Sequence, residues 1–242
     1  MNVDIAYLKI KRALESDSEC FLCVLEEEIE RKFIDTYLYE LVMDVSSREK
    51  IIETRGFCNY HFYKMLVAAS RPESPDGHGM ALILEDITER LIQDIRNRKN
   101  VYKMLANENK CPLCFHLYDF MEIYIESVVK LLSSKHEEFS TLFKESKGVC
   151  IPHFVALIQV AEENAREKCP CVIEIMTDVE EKNLLKVNAE LAEFIRRQSY
   201  EFSEKDRDAV KDVVSRSVRK ITGRHGTKPI LPQKTRKVLF SK

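Results

Sequence analysis

Six cysteines and two histidines of this chain recur with a spacing that is typical of metal ligation. A CxxC pair followed by a GxCxxH segment occurs in each half, and the second copy lies 91 to 92 residues after the first. A four-ligand pattern that repeats within one residue of register indicates an internal duplication. The eight residues are Cys20, Cys23, Cys58 and His61 in the first half, and Cys111, Cys114, Cys150 and His153 in the second.

The residue types in this pattern suit a closed tetrahedral zinc site. Residues three apart lie on one face of a helical turn, so each CxxC or CxxH pair (a knuckle) can present two donors to one ion. A helix N-terminus favours the thiolate form that binds metal. Gly56 and Gly148 allow the backbone to turn just before the third cysteine. Three thiolates and one imidazole with no open position predict a structural Zn²⁺ in each half.

The same residues allow other interpretations. An iron–sulfur cluster also uses thiolate ligands, although a single histidine is a minority ligand for it. Another thiol-based role, or buried cysteines without a metal, are further alternatives. The simplest grouping places the four ligands of each sequence half around one ion. Exchange of knuckles between the halves is the alternative grouping.

The segments that position the knuckles are predicted to be helices. Apolar residues recur every four positions over residues 25–45, which predicts an amphipathic helix of about six turns. The same period occurs over 117–132. A short apolar helix follows each CxxH pair, over 62–69 and 154–161. Each half is therefore predicted to run from knuckle to long helix, connector, knuckle and short helix.

A linking segment and a C-terminal extension complete the predicted fold, which is all-α and internally duplicated. A charged helix over about 80–107 follows a loop rich in Pro and Gly, and we expect it to pack across both halves. Further helices are predicted near 173–198 and 204–222. The predicted organisation is a first repeat over 1–70, a linker and connecting helix over 71–109, a second repeat over 110–166, C-terminal helices over 167–222 and a basic, disordered tail over 223–242.

Residues outside the repeat are weaker candidates for chemistry. Cys169 and Cys171 flank a proline and could form a redox pair or an accessory site, but two small buried residues at a helix start are the favoured interpretation. The run of glutamates over 26–28 is interpreted as solubilising charge. His116 lies off the ligand face of its turn. The chain has no GxGxxG, P-loop, GxSxG or HExxH motif, so an enzyme is not favoured.

Composition indicates a globular chain without a marked charge preference. The 242 residues are 45% hydrophobic and 32% charged with a net charge of -2, so no general attraction to nucleic acid is expected. The N-terminus has no apolar signal-peptide core, and no segment approaches the roughly 18 apolar residues of a membrane helix. A cytoplasmic location is therefore expected. In a reducing cytosol, cysteines are better explained as ligands or buried thiols than as disulfides.

Several segments resemble a known but uncharacterised prokaryotic family, a domain of unknown function with paired CxxC and GxCxxH knuckles. The resemblance is carried by CFLCVLEEE at 20–28, YLYEL at 37–41, GVCIPHF at 148–154 and LAEFIRRQSYEF at 191–202. It extends over about residues 15–223. The resemblance implies the same duplicated architecture and no known activity.

The sequence therefore favours a non-enzymatic, zinc-stabilised helical protein that binds an unidentified macromolecular partner. An iron–sulfur or thiol-based redox sensor is the first alternative. A nucleic-acid-associated regulator that uses the basic tail is the second. No membrane partner is expected, and the sequence favours no particular oligomeric state.

Overall fold

The part of the chain that the structure describes is helical throughout. The computed structural model describes residues 3–71, 77–97, 110–164, 170–199, 201, 203 and 211–224. Within these ranges there is no strand, which confirms the all-α fold class. The helices are α1 (Val3–Leu14), α2 (Phe21–Tyr39), a 3-10 helix (Leu41–Met43), α3 (Val45–Thr54), α4 (Asn59–Ala69), α5 (His78–Arg96), α6 (Pro112–Ser133), α7 (Glu137–Glu145), α8 (Ile151–Asn164), α9 (Pro170–Arg196) and α10 (Asp212–Thr222).

The chain divides into two compact units that do not follow the two sequence repeats. Unit 1 comprises Met1–Glu26 and Met121–Lys242, and unit 2 comprises Glu27–Phe120. The boundaries fall inside α2 and α6. Each unit therefore contains segments from both halves of the sequence.

In unit 2, α5 packs against α3, α4 and the 3-10 helix. These elements all come from the first half, so the main contacts of the described part of this helix lie within that half, and packing across both halves stays a prediction. Ile83 and Ile87 of α5 are buried together with Phe57 and Met65. The predicted C-terminal end of the helix falls in residues 98–109, which lie outside the described residues.

The predicted long helix after the first CxxC pair ends earlier than expected. α2 stops at Tyr39, and the 3-10 helix leads into α3. Asp44 caps α3 because its side chain accepts a hydrogen bond from the Ser47 N–H at 2.8 Å. Val45 therefore begins a new helix, and the predicted connector of the first half is helical.

In unit 1, α8, α9 and α10 pack on one another and α1 packs on α7. Neither α1 nor α7 is predicted by the sequence. His136 caps α7, since its Nδ1 accepts from the Phe139 N–H at 3.3 Å. The helix predicted near 173–198 is confirmed as α9. The helix predicted over 204–222 is described from Asp212 onward, and 225–242 lie outside the described residues.

The glycine before each third cysteine is required by the backbone and by close packing. Gly56 has a φ of 92°, and a Cβ there would lie 2.3 Å from the Phe62 ring and 2.8 Å from Ile87. Gly148 has a φ of 71°, and its Cβ would lie 2.6 Å from a Glu180 oxygen. The sharp turn expected at both positions is therefore confirmed.

Alanine variants of Gly56 and Gly77 distinguish the cost of a steric clash of the new Cβ from the cost of a positive φ. Gly77 is the matched control, because it has a φ of 68° and no atom of the described residues lies within 4 Å of an added Cβ. We expect Gly77→Ala to lower the free energy of unfolding by about 1 kcal/mol, and Gly56→Ala by more than ~2 kcal/mol. Urea denaturation in excess zinc measures both. Equal losses would contradict the packing role of Gly56.

Candidate metal centres

The structure gathers the eight predicted ligands into two groups. Centre 1 lies in unit 1 and centre 2 in unit 2, and within each group the donor atoms all lie within 4.8 Å of one another. Centre 1 consists of Cys20, Cys23, Cys150 and His153, and centre 2 of Cys58, His61, Cys111 and Cys114. The favoured grouping within each sequence half is therefore wrong. Each centre combines the CxxC pair of one half with the CxxH pair of the other.

Each of the four ligand pairs lies at the N-terminus of a helix. Cys20 and Cys111 immediately precede α2 and α6, and their partner cysteines lie in the first turn of the same helix. Cys58 and Cys150 precede α4 and α8 in the same way, with the histidine in the first turn. The Cys23 N–H lies 3.4 Å from the Cys20 sulfur and donates to it. Two helix N-termini thus face each centre, and their partial positive charge favours thiolates there.

The donor separations in centre 1 fit one tetrahedral ion. His153 Nδ1 lies 3.4 Å from the Cys20 sulfur, 3.6 Å from that of Cys23 and 3.2 Å from that of Cys150. The Cys23 and Cys150 sulfurs are 3.7 Å apart. Zn–S bonds of about 2.3 Å and a Zn–N bond of about 2.0 Å in tetrahedral geometry require S···S near ~3.8 Å and S···N near ~3.5 Å.

Centre 2 has the same geometry. His61 Nδ1 is 3.3 Å from each of the sulfurs of Cys58, Cys111 and Cys114. The Cys58 and Cys114 sulfurs are 3.8 Å apart. In both centres the third cysteine and the histidine are buried, and the second cysteine of the CxxC pair is half-buried. Each group could therefore enclose a metal ion with four protein donors.

The protons of centre 2 are shared among its donors. The pKa of Cys58 is lowered because it receives hydrogen bonds from Cys111 and Cys114. The pKa of Cys114 is raised because it donates to those two sulfurs. Burial disfavours a charged His61 ring, but the sulfurs of Cys111 and Cys58 and the carboxylate of Glu30 outweigh burial and raise its pKa to about 11. A metal ion that binds here replaces these protons.

The outer nitrogen of His61 faces a buried carboxylate that the sequence reading missed. His61 Nε2 lies 3.3 Å from Glu30 Oε1, and Glu30 is only 3% exposed. A carboxylate behind a ligating imidazole is the usual arrangement in metal sites, because it fixes which nitrogen faces the ion. Glu30 lies on α2 two turns after Cys23, and that spacing was the available signal.

The interpretation of the Glu26–Glu28 run as solubilising charge is wrong for its first residue. Glu26 is buried and lies one turn after Cys23 on α2, four residues before Glu30. Its Oε2 is 3.4 Å from Arg224 Nε. Only Glu27 of the run is fully exposed. Glu26 and Glu30, which are four residues apart on α2, are thus both buried.

The remaining candidate residues have other roles. His116 is half-buried between the rings of Phe33 and Phe120, at centroid distances of 4.8 and 4.7 Å, and burial lowers its pKa. Cys171 is half-buried and disulfide-bonded. The expectation of reduced, buried thiols is therefore wrong at Cys171, and Cys169 lies outside the described residues.

Comparisons with known proteins identify relatives without a known activity. The sequence model of the family described as "Family of unknown function (DUF6062)" matches residues 1–228. An "Uncharacterized 23.9 kDa protein in xynA 3'region" from Caldicellulosiruptor sp. (strain Rt8B.4) is 23% identical over 168 residues, which cover 67% of this chain and 77% of that protein. No solved structure matches the chain. Among the described helices, none is both long and apolar enough to cross a membrane.

Paired serine substitutions test the grouping across halves. Cys58 and Cys111 belong to one centre, so the double variant Cys58→Ser/Cys111→Ser should lose one metal ion per chain and retain the other. Cys20→Ser/Cys58→Ser removes a ligand from each centre and should lose both. Elemental analysis of the purified variants measures the difference. Two lost ions in the first variant and one in the second would restore the grouping within halves.

Removal of the Glu30 charge should weaken centre 2 selectively. We expect Glu30→Gln to lower the metal affinity of centre 2 roughly ten- to hundredfold, as is usual for a carboxylate behind a ligand histidine. Glu27→Gln, on the exposed side of the same helix, is the control. Equilibrium competition with a chromophoric chelator measures both affinities. Equal retention by the two variants would show that Glu30 does not support His61.

Proposed function

Because the chain belongs to a family of unknown function, DUF6062, we propose its role from the chemistry of its own two centres. We infer that it is a zinc-binding, non-enzymatic helical protein of the cytoplasm. Two structural Cys3His centres hold its fold in the form that a macromolecular partner recognises.

The mutual distance of the donor atoms is the observation that carries the choice of zinc. All four donors of each centre lie within 4.8 Å of one another, which leaves room for one ion. An iron–sulfur cluster places several iron and sulfide atoms among its thiolates and requires wider separations. Thiolate and imidazole donors in tetrahedral geometry favour zinc over the hard cations, which prefer oxygen ligands.

The positions of the ligands along the chain support a structural role. In centre 1, Cys20 and His153 are 133 residues apart, and in centre 2, His61 and Cys111 are 50 residues apart. An ion that joins such distant segments stabilises the folded state, because the unfolded chain has no preformed site. Its effect resembles that of a cross-link that closes a long loop.

The closed donor sets support a role in recognition. A catalytic zinc centre keeps one position for water or substrate, whereas four protein ligands complete a tetrahedral ion. The protein surface that the centres hold together is then the place of recognition. The six cysteines of the two centres form no disulfide, so all six are available as metal ligands.

Metal analysis of anaerobically purified protein tests this function. We expect two zinc ions per chain, no visible absorption band, and loss of helical circular dichroism on chelation, because the metal stabilises the fold. Iron together with acid-labile sulfide would show instead that the centres hold iron–sulfur clusters. A folded chain that binds no metal would overturn the proposal altogether.

A further inference from the structure

The C-terminal helix α10 is bound to unit 1 by its charged face. Its buried or half-buried side chains include Arg216, Ser217 and Lys220, and Lys220 is 0% exposed. Val213 is the one apolar side chain that α10 buries. The other apolar side chains of this helix are exposed, namely Val214, Val218 and Ile221. The helix therefore depends on ion pairs, rather than on an apolar stripe, for its attachment.

The cations of α10 and of the residue pair after it lie at a spacing of four. Arg216 and Lys220 lie one turn apart on one face of α10, and Arg224 comes after Gly223, where the helix has already ended. Arg216 Nη1 lies 3.3 Å from Glu19 Oε1, and its Nη2 lies 2.7 Å from Glu190 Oε2. Two successive turns of α10 and the residue just beyond its end therefore each present a positive charge to unit 1.

Lys220 makes the most buried of these contacts. Its ammonium lies 2.9 Å from Glu180 Oε1 and donates to the Lys147 carbonyl at 2.7 Å. The second oxygen of Glu180 accepts a hydrogen bond from the Val149 N–H at 3.2 Å. A buried ammonium is strongly unfavourable without its partners. Lys220 therefore requires that Glu180 and the segment before Cys150 keep their present positions.

Three of the groups that receive these cations lie close in sequence to a ligand of centre 1, whereas Glu180 and Glu190 belong to α9. Glu19 precedes Cys20, and Glu26, which faces Arg224, lies one turn after Cys23. On the other side of the centre, 147–149 lead directly into the third cysteine. The partners of α10 thus lie on both chain segments that an ion in centre 1 would join.

Gly223, the residue that follows α10, lies near a ligand of centre 1. A Cβ at Gly223 would lie 3.4 Å from the Cys150 sulfur and 3.9 Å from Pro152. The backbone just after the helix therefore lies near a ligand thiol. Movement of this thiol would disturb the last turn of α10 as well as its ion pairs.

Within the described part of the chain, centre 2 has no counterpart of these partners. Under the repeat, Glu26 corresponds to Leu117 and Glu180 to Thr88. The correspondence of α5 with α9 is supported by Ile87, which is close to Gly56 as Val179 is to Gly148. A coupling between metal and a cationic helix is therefore specific to centre 1.

We propose that metal bound in centre 1 fastens α10 to unit 1, and that loss of this metal releases the helix. The ion holds the Cys20 and Cys150 segments at the separation that the three cations require. Without it, the two sets of partners are no longer fixed to each other, and the buried charges of α10 lose their geometry. This inference rests on the proposed metal binding, and it makes centre 1 a site that regulates the C-terminal part of the chain.

Hydrogen exchange of the full-length protein tests the coupling. Cys23→Ser disables centre 1, and Cys114→Ser, at the equivalent half-buried ligand, disables centre 2. In zinc, we expect amides of α10 to exchange at least about tenfold faster in Cys23→Ser than in the wild type, while those of α9 change less than about twofold. Cys114→Ser should leave α10 protected.

Two results would overturn the coupling even when metal binds. One is unchanged protection of α10 in a Cys23→Ser protein that has lost one zinc ion. The other is equal acceleration of α9 and α10, which would show general loosening of unit 1. Zinc content is measured in the same samples, so a wild-type protein without metal would instead reject the proposed function.

A second variant tests the same coupling without a change to any metal ligand. Lys220→Met combined with Glu180→Gln removes both charges and keeps an acceptor for the Val149 N–H. Coupling between two equilibria is reciprocal: if bound zinc strengthens the docking of α10 by some factor, loss of docking weakens zinc binding by the same factor. We therefore expect this variant to lower the zinc affinity of centre 1 and to leave that of centre 2 unchanged. Arg219→Gln, on the exposed side of α10, is the control. Unchanged zinc affinity in the double variant would reject the coupling.

Discussion

The convergence of a CxxC pair from one repeat and a CxxH pair from the other is the constraint on which this fold depends. Because each centre takes two ligands from each half, neither half can complete a donor set alone. α2 begins beside centre 1 and continues as part of unit 2, and α6 begins beside centre 2 and continues as part of unit 1. Each structural unit therefore contains segments of both repeats, which explains why the boundaries between the units fall inside α2 and α6.

The two centres share their ligands but differ in what surrounds them. In centre 2, Glu30 lies behind the histidine, whereas the corresponding residue of the second repeat is Met121. In centre 1, Glu26 and Glu180 are buried beside the ligand segments and receive cations from the C-terminal extension. Buried carboxylates are costly unless they are paired. Their presence in different places indicates that the two repeats share one arrangement of donor atoms and differ in the charged residues around it.

The spacing of cysteines and histidines predicted all eight members of the two groups, and the apolar period predicted the helices that follow them. The grouping could not be predicted, because exchange of knuckles leaves the number and type of ligands in each centre unchanged. Glu26 and Glu30 were missed since a charged residue on a helix is usually solvated. α3 and α7 were missed because caps at Asp44 and His136 define short helices that lack a long apolar period.

From the sequence alone, the wrong face of α10 would be assigned to the protein interior. Val214, Val218 and Ile221 form an apolar stripe that a simple amphipathic reading assigns to the interior, yet they are exposed while Lys220 is buried. A helix can bury its cations only against carboxylates that are already fixed, because an unpaired buried charge is strongly unfavourable. Glu19 and Glu26 lie on the segment that carries Cys20 and Cys23, and Glu180 of α9 accepts a hydrogen bond from the Val149 N–H beside Cys150. The orientation of α10 thus follows from its ion pairs with carboxylates on the Cys20 segment and on α9, and the exposure of its apolar stripe follows from the same ion pairs.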